Sequence, residues 1–333
     1  MNKKCNLFKL LICMTSLLST LYSWAEKQID LSESLIKVQE PGIIHDFGEK
    51  GFAIHDIGED KLKFFNWDAK LINEMNINKG EGPGEFKYFI TSAFFFDEKL
   101  YLLGFMENKI NIYDLNGKFI KTMKMEFIPK EVIYLQNKLY VFNLRMNASA
   151  ESFTPGNIID PKTFKTNKKI IMKGSIVSPK TLGGNPALLG LSSTFDVGIN
   201  GNIFILISSA NLLIEVSEDG ELINRTDMPY KERKEINSVK KGDKVETVMS
   251  VLDWYQDMRV FKNTAYACFL KHVKKDKYGS DVYHTYVIKI LKDQNYNEKI
   301  LEGNFVFIGE YKENVFFFNT ETYQIVSIKL NEW

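Results

Sequence analysis

Lys99-Leu-Tyr-Leu-Leu103, Lys109-Ile-Asn-Ile-Tyr-Asp114, Leu115-Asn116-Gly117-Lys118 and Phe119-Ile-Lys-Thr-Met123 form the stretch whose reading decides the fold. It spells three short apolar-rich strands, the last two joined through Asn-Gly. That dipeptide is a strong hairpin signal, because both central positions of a tight turn need φ > 0 and these two residues take it at least cost. Thr91 to Phe96 adds a strand ahead of them. Four antiparallel strands in about 40 residues make a unit the size of one propeller blade.

The same grammar recurs along the chain. Upstream, Phe52-Ala-Ile-His55, Leu62 to Phe65 and Leu71 to Met75 repeat it, with Ala69 in the turn. Downstream, Lys138 to Phe142 opens a third copy that turns at Asp160-Pro-Lys-Thr163. A fourth runs through Asn202 to Ile207, Leu212 to Val216 and Ser217-Glu-Asp-Gly220. A fifth has Ala265 to Leu270, Tyr283 to Leu291 and Lys292 to Asn295. A sixth has Asn314 to Phe318 and Gln324 to Leu330. The sixth copy stops one strand short of a full blade. A ring closes well when the other terminus supplies that strand, since otherwise two edges stay unpaired. Gln28-Ile-Asp-Leu31 or Leu35-Ile-Lys-Val38 is placed to do so. The expected fold is therefore all-β: a six-bladed propeller of four-stranded antiparallel blades, with the N-terminal strand closing the last.

Between the first two copies lies Lys79-Gly-Glu-Gly-Pro-Gly-Glu-Phe86. Gly80, Gly82 and Gly84, with Pro83 among them, exclude a helix or a central strand and predict a shaped turn. Glu85 is expected to accept backbone hydrogen bonds there, and Phe86 to tuck between blades.

Two stretches depart from the repeat. Gly174 to Ser193, with Pro179, Gly183, Gly184, Pro186 and Gly190, reads as a long loop. Tyr230 to Val245 is a charged run expected to begin a short helix reaching Val251.

Residues 1–25 read as a signal peptide, with basic Lys3 and Lys4, an apolar Leu10 to Leu21, and Ser23-Trp-Ala25 as a small-residue cleavage site. Residues 26–333 are then the propeller domain. Cys5 and Cys13 leave with the leader, so Cys268 remains alone and no internal disulfide forms. Ile12 before Cys13 disfavours lipid attachment. Three of the 43 basic residues also leave, and the rest nearly balance the 42 acidic ones. That balance argues against nucleic acid or an anionic membrane as partner. After cleavage no further transmembrane segment is expected, and a monomer is.

A signal peptide, a first blade ending in Gly80-x-Gly82-Pro83-Gly84-Glu85-Phe86, and turns of the Asp114-x-x-Gly117-Lys118 type together resemble the exported six-bladed β-propeller proteins of Bacteroidetes-type bacteria. These are relatives of the NHL-repeat and TolB-like propellers. The resemblance implies the fold and a periplasmic or extracellular address. Many members resemble lipoproteins, which this chain does not. The family has no agreed activity.

The glycine turn does not resemble a phosphate loop, which needs a following helix whose N–H groups face the anion; here Glu85 would repel one. The four histidines, His45, His55, His272 and His284, come from two copies and show no His-x-His or Glu-x-x-His spacing, so no histidine metal site is expected. No nucleophile motif stands out. His45, Asp46, His55, Asp56, Asp97 and Asp196 lie at or near strand ends and are the candidates for polar groups facing an axial channel. No cofactor is expected, calcium being the one ion such carboxylates could take. The leading expectation is a non-catalytic binding module for an envelope protein, peptide or glycan. The alternative is a calcium-dependent hydrolase or lyase of the lactonase type.

Overall fold

In the computed structural model, which describes residues 29–30, 38–148, 152–173, 193–241, 244–291 and 295–333, six sheets stand around a common axis. Blade 1 is Pro41–Asp46, Phe52–Asp56, Lys61–Phe65 and Leu71–Asn76. Blade 2 is Ile90–Phe96, Lys99–Gly104, Lys109–Asp114 and Phe119–Lys124. Blade 3 is Pro129–Leu135, Lys138–Ala148, Ser152–Ile159 and Thr166–Lys173. Blade 4 is Ser193–Val197, Ile203–Ile207, Leu212–Val216 and Leu222–Asp227. Blade 5 takes the second part of Lys244–Phe261, then Thr264–Lys275, Asp281–Ile290 and Tyr296–Glu302. Blade 6 is Phe305–Tyr311, Asn314–Asn319, Gln324–Lys329 and, outermost, Ile29–Asp30. The N-terminal strand pairs antiparallel, Ile29 with Ile325 and Asp30 with Gln324, so the ends of the chain meet in one blade and close the ring.

Strand periodicity explains how the blades cohere. Alternate residues of a strand point to opposite faces, and in a blade both faces meet a neighbour. In blade 4, Ile203, Ile205 and Ile207 pack towards blade 3, while Phe204 and Leu206 pack towards blade 5. In blade 6, Phe316 and Phe318 face blade 1, and Val315 and Phe317 face blade 5. Continuous apolar runs therefore belong to strands buried on both sides. Six buried clusters result, one at each blade interface. A fully buried side chain of this size contributes about 1.5–3 kcal/mol.

The glycine turn sits between blades 1 and 2. Asn78–Lys79 and Glu85–Phe86 pair in parallel across it. Gly80, at φ +148°, lies so close to Glu85 that a Cβ would fall 2.1 Å from its Oε2, and Gly84 holds φ +75° against the Phe119 ring. Glu85 Oε2 accepts from the Gly82 amide at 2.8 Å, and Tyr113 donates to the Gly84 carbonyl at 2.8 Å. Phe86 is fully buried in the cluster between the two blades.

The run from residue 230 to 251 is not helical. Arg233–Lys241 and Lys244–Phe261 pair antiparallel as a long hairpin before the second strand turns in to start blade 5. Its β-branched residues, Ile236, Val239, Val245, Thr247, Val248 and Val251, lose rotamer freedom in a helix and suit a pleated sheet, and this outweighs the charged composition. The 174–192 stretch lies outside the described residues. Among the described residues, no helix is long and apolar enough to cross a membrane.

Candidate functional site

The first strand of each blade lies innermost, and each contacts the first strands of its two neighbours, so six strands running the same way enclose an axial channel. Their N-terminal ends mark one face. The connections between blades, and those between second and third strands, also emerge on that face. In blade 3 the hairpin of the second and third strands runs past the inner strand, and in blade 5 Thr264–Lys275 and Asp281–Ile290 do the same. The elaborated face is thus the one where the channel opens.

A cavity of about 400 Å³ occupies that opening, and every blade contributes to it. Blade 1 gives Ile43 and Ile44; blade 2 Phe89, Thr91 and Phe105; blade 3 Lys130, Glu131 and Leu144; blade 4 Thr194; blade 5 Gln256, Asp257 and Arg259; blade 6 Val306, Phe307 and Thr320. Phe89 and Phe105 stack at 4.8 Å, with Tyr88 edge-on to Phe105 at 6.3 Å, forming an aromatic wall on one side. Other hollows among the described residues are less convergent. A cleft of about 130 Å³ between blades 1 and 2 is mainly apolar, and a groove of about 650 Å³ between blades 4 and 5 is lined by residues such as Asn200, Asn224 and Asn263.

The charged floor has two jobs. Inner strands of adjacent blades splay apart, so some of their amides lack a ladder partner and a buried amide must find one. Side chains supply it. Asp196 of blade 4 accepts from the Val260 amide of blade 5 at 2.6 Å, and Asp257 of blade 5 accepts from the Phe307 amide of blade 6 at 3.2 Å. Glu131 of blade 3 takes the Phe195 amide of blade 4, and Asp46 of blade 1 the Glu310 amide of blade 6. Ser92 and Val132 bond blade 2 to blade 3. The close approach at Asp46 explains Gly309 opposite, where a Cβ would stand 2.0 Å from Asp46 Oδ2.

Arg259 is the second element. Its Nη1 lies 3.3 Å from Asp257 Oδ1 and 3.6 Å from Glu131 Oε1 and donates to the Met258 carbonyl at 3.1 Å. Burial works against its charge, but Asp257, Glu131, Asp196 and Asp46 outweigh that and hold it firmly protonated. The carboxylates crowd one another. Burial pushes Asp196 up to about 7 and Asp46 to about 6, with Arg259 and backbone bonds resisting. Asp46 is exposed to solvent, yet the protein packed around its carboxyl raises it. Burial also raises Glu131 and Asp257 and lowers Lys130 to about 8. Lys130 donates to the Ser193 carbonyl across the interface of blades 3 and 4.

Of the residues singled out from the sequence, His45, Asp46 and Asp196 are on inner strands around this channel. His45 is buried, and its Nε2 meets no partner among the described residues. Burial first, then His55 and Arg259, depress it to about 3, so it is neutral. His55 and Asp56 lie instead on the second strand of blade 1. His55 Nδ1 accepts from the Ile90 amide at 3.4 Å. Asp56 accepts from Lys63 at 2.7 Å and from the amides of Gln39 and Glu40, anchoring the chain as it enters blade 1. Asp97 is in the exposed turn between the first two strands of blade 2, on the opposite face, paired with Lys99 at 2.8 Å. Glu131, Asp257 and Arg259 complete the set and were missed. The available signal was charged residues inside otherwise apolar first strands. Among the described residues, no group of three or more His, Cys, Asp or Glu is arranged to hold a metal ion. The channel acids have backbone amides and Arg259 as partners instead.

A family model described as a 6-bladed beta-propeller matches residues 36–322. No curated protein matches the chain. Among solved structures, a DUF4221-family member from Bacteroides vulgatus is similar with a TM-score of 0.55 at 9% identity, over 91% of this chain and 95% of that one. A streptogramin B lyase is similar at 0.53 and 10% identity, over 91% and 98%. A Bacteroides fragilis protein assigned to export by inference reaches 0.47 at 13% identity, over 88% and 83%. Such identities reach the fold and no further.

Proposed function

Because the chain belongs to the 6-bladed beta-propeller family over residues 36–322, we propose that it is an exported, non-catalytic binding module. It acts in the periplasm or outside the cell after cleavage following Ala25, and holds its ligand in the axial cavity on the elaborated face. The observation that carries this reading is the cavity itself, about 400 Å³ and lined from all six blades. That volume lies in the range of small-molecule and peptide side-chain pockets, and function in such folds concentrates where loops surround a rigid scaffold. The reading is favoured over hydrolysis or lyase chemistry by the partners of the acids. Asp196 and Asp257 each spend both oxygens on backbone amides, which suits a fixed wall better than a shuttling acid or a calcium ligand.

The test is a thermal-shift screen of envelope-derived peptides, amines and glycans against residues 26–333 and against a variant blocked by Thr194→Trp. A ligand that binds only the folded state raises the melting temperature. Hits that stabilise the parent and not the blocked variant are expected. Hits that stabilise both equally, or none at all, contradict the proposal. Stabilisation by calcium that EDTA reverses, lost in Asp257→Asn, would favour the calcium-dependent reading instead.

A further inference from the structure

We propose that the axial cavity recognises a protonated amine carried on an apolar body, such as a lysine side chain of a peptide or an aryl-alkyl amine. This rests on the cavity being the binding site and adds the chemistry of its occupant.

Three features of the opening converge on that class. The first is charge. Glu131 and Asp257 line the cavity, and Asp46 and Asp196 act on Arg259 from other inner strands, against Arg259 and Lys130 as cations. With Asp196 neutral the acids still outnumber the cations. Low-dielectric walls focus the resulting potential on the opening and draw in positive charge. Arg259 does not reverse this, because it lies within 3.6 Å of both Glu131 and Asp257, which offset its charge locally.

The second is unused acceptor capacity. A carboxylate oxygen accepts about two hydrogen bonds. Glu131 and Asp257 line the cavity with side chains 22% and 14% exposed, and an oxygen that already accepts one backbone amide, as Asp257 Oδ2 does, can accept a second hydrogen bond. An ammonium, with three donors and no acceptor, suits such surroundings. A carboxylate or phosphate does not.

The third is the wall. The stacked Phe89 and Phe105 line the cavity on one side. Aromatic faces attract cations and cover alkyl or aryl groups. Ile43, Leu144 and Val306 continue the apolar lining. An uncharged polyol would use the aromatic wall and donate hydroxyl hydrogen bonds to the carboxylates, but it would leave their charge uncompensated.

The experiment is calorimetric titration of residues 26–333 with 4-phenylbutylamine, 4-phenylbutan-1-ol and 5-phenylpentanoate, which share an apolar body and differ in the charge of the tip. The amine is expected to bind at least about tenfold more tightly than the alcohol, and the acid most weakly, as for a charge-assisted contact. Glu131→Gln keeps an oxygen for the Phe195 amide and removes the charge. It should cut the preference for amine over alcohol at least about threefold without lowering the melting temperature of the free protein. Phe105→Ala should weaken amine and alcohol alike. Equal binding of amine and alcohol, tighter binding of the acid, or a Glu131→Gln variant with unchanged preference overturns the proposal. If no probe binds while the screen finds other ligands that Thr194→Trp blocks, this inference falls and the binding-module reading stands. If the screen also fails, both fall.

Discussion

Replacing Arg259 with Met removes the one charge that Asp257, Glu131, Asp196 and Asp46 share, while leaving a side chain of similar length. Breaking a buried ion pair from one side costs about 3–5 kcal/mol. Arg259 retains 22% exposure, so we take the lower end, about 3 kcal/mol near pH 7.5. For a domain of this size that is a fall in melting temperature of roughly 6 °C. The cost must shrink in acid. Asp46 and Asp196 have folded values raised to about 6 and about 7 from an ordinary 3.8, and losing Arg259 raises them further. At pH 5 both are largely protonated in the folded state, fewer charges are stranded, and the penalty should drop to about half. Differential scanning fluorimetry of parent and variant at pH 5.0 and 7.5 measures it. A loss under about 1 kcal/mol at pH 7.5, or an equal loss at both pH values, would refute the view of Arg259 as the shared counter-charge of the ring.

Asp196→Asn tests the same electrostatics from the acid side. A raised carboxyl lends stability below its unfolded value and loses it as pH rises through the folded one, so the parent should weaken between pH 5 and 8 with a slope of up to about 1.4 kcal/mol per unit from this group. The variant should be flatter in urea titrations at those pH values, and an unchanged slope would refute the assignment. Phe86→Ala empties the plug between blades 1 and 2, where the side chain is fully buried, and should cost about 3–5 kcal/mol in the same assay; a loss below about 1 kcal/mol would show that the turn does not anchor that interface. Lys63→Met strands Asp56, both side chains being inaccessible to solvent, and should cost about 3–5 kcal/mol. Adding Asp56→Asn should recover at least about half, since asparagine still accepts from the Gln39 amide; no recovery would show that the pair matters for packing rather than charge.

The fold was legible because its signals are local. Asn116-Gly117 and Ser217-Glu-Asp-Gly220 announce hairpins wherever the rest of the chain goes, and uninterrupted apolar runs such as Ile203–Ile207 fit only strands covered on both faces. The missing last strand of the sixth blade pointed to closure by the N-terminus, and Ile29–Asp30 pairs with Gln324 and Ile325 as required. The hairpin at 233–261 was obscured by its lysines and glutamates, which sit as comfortably on a solvated strand as on a helix. The site was less legible, because a channel is assembled from a few residues of each blade, on first strands that lie far apart in the sequence. Strand ends drew the eye to Asp97, which only caps a turn with Lys99. Glu131, Asp257 and Arg259 sit inside inner strands, where charge is costly unless partnered; Glu131 and Asp257 take backbone amides of the next blade around, and Arg259 pairs with Asp257 on its own strand and with Glu131 two blades away.

The most direct test of the account is a crystal structure of residues 26–333 grown with 4-phenylbutylamine. The account predicts six blades closed by the N-terminal strand, with the phenyl ring against Phe105 and the amine within hydrogen-bonding distance of Glu131 or Asp257. A ring of another size, or the amine in the groove between blades 4 and 5 with the axial cavity unoccupied, would contradict it.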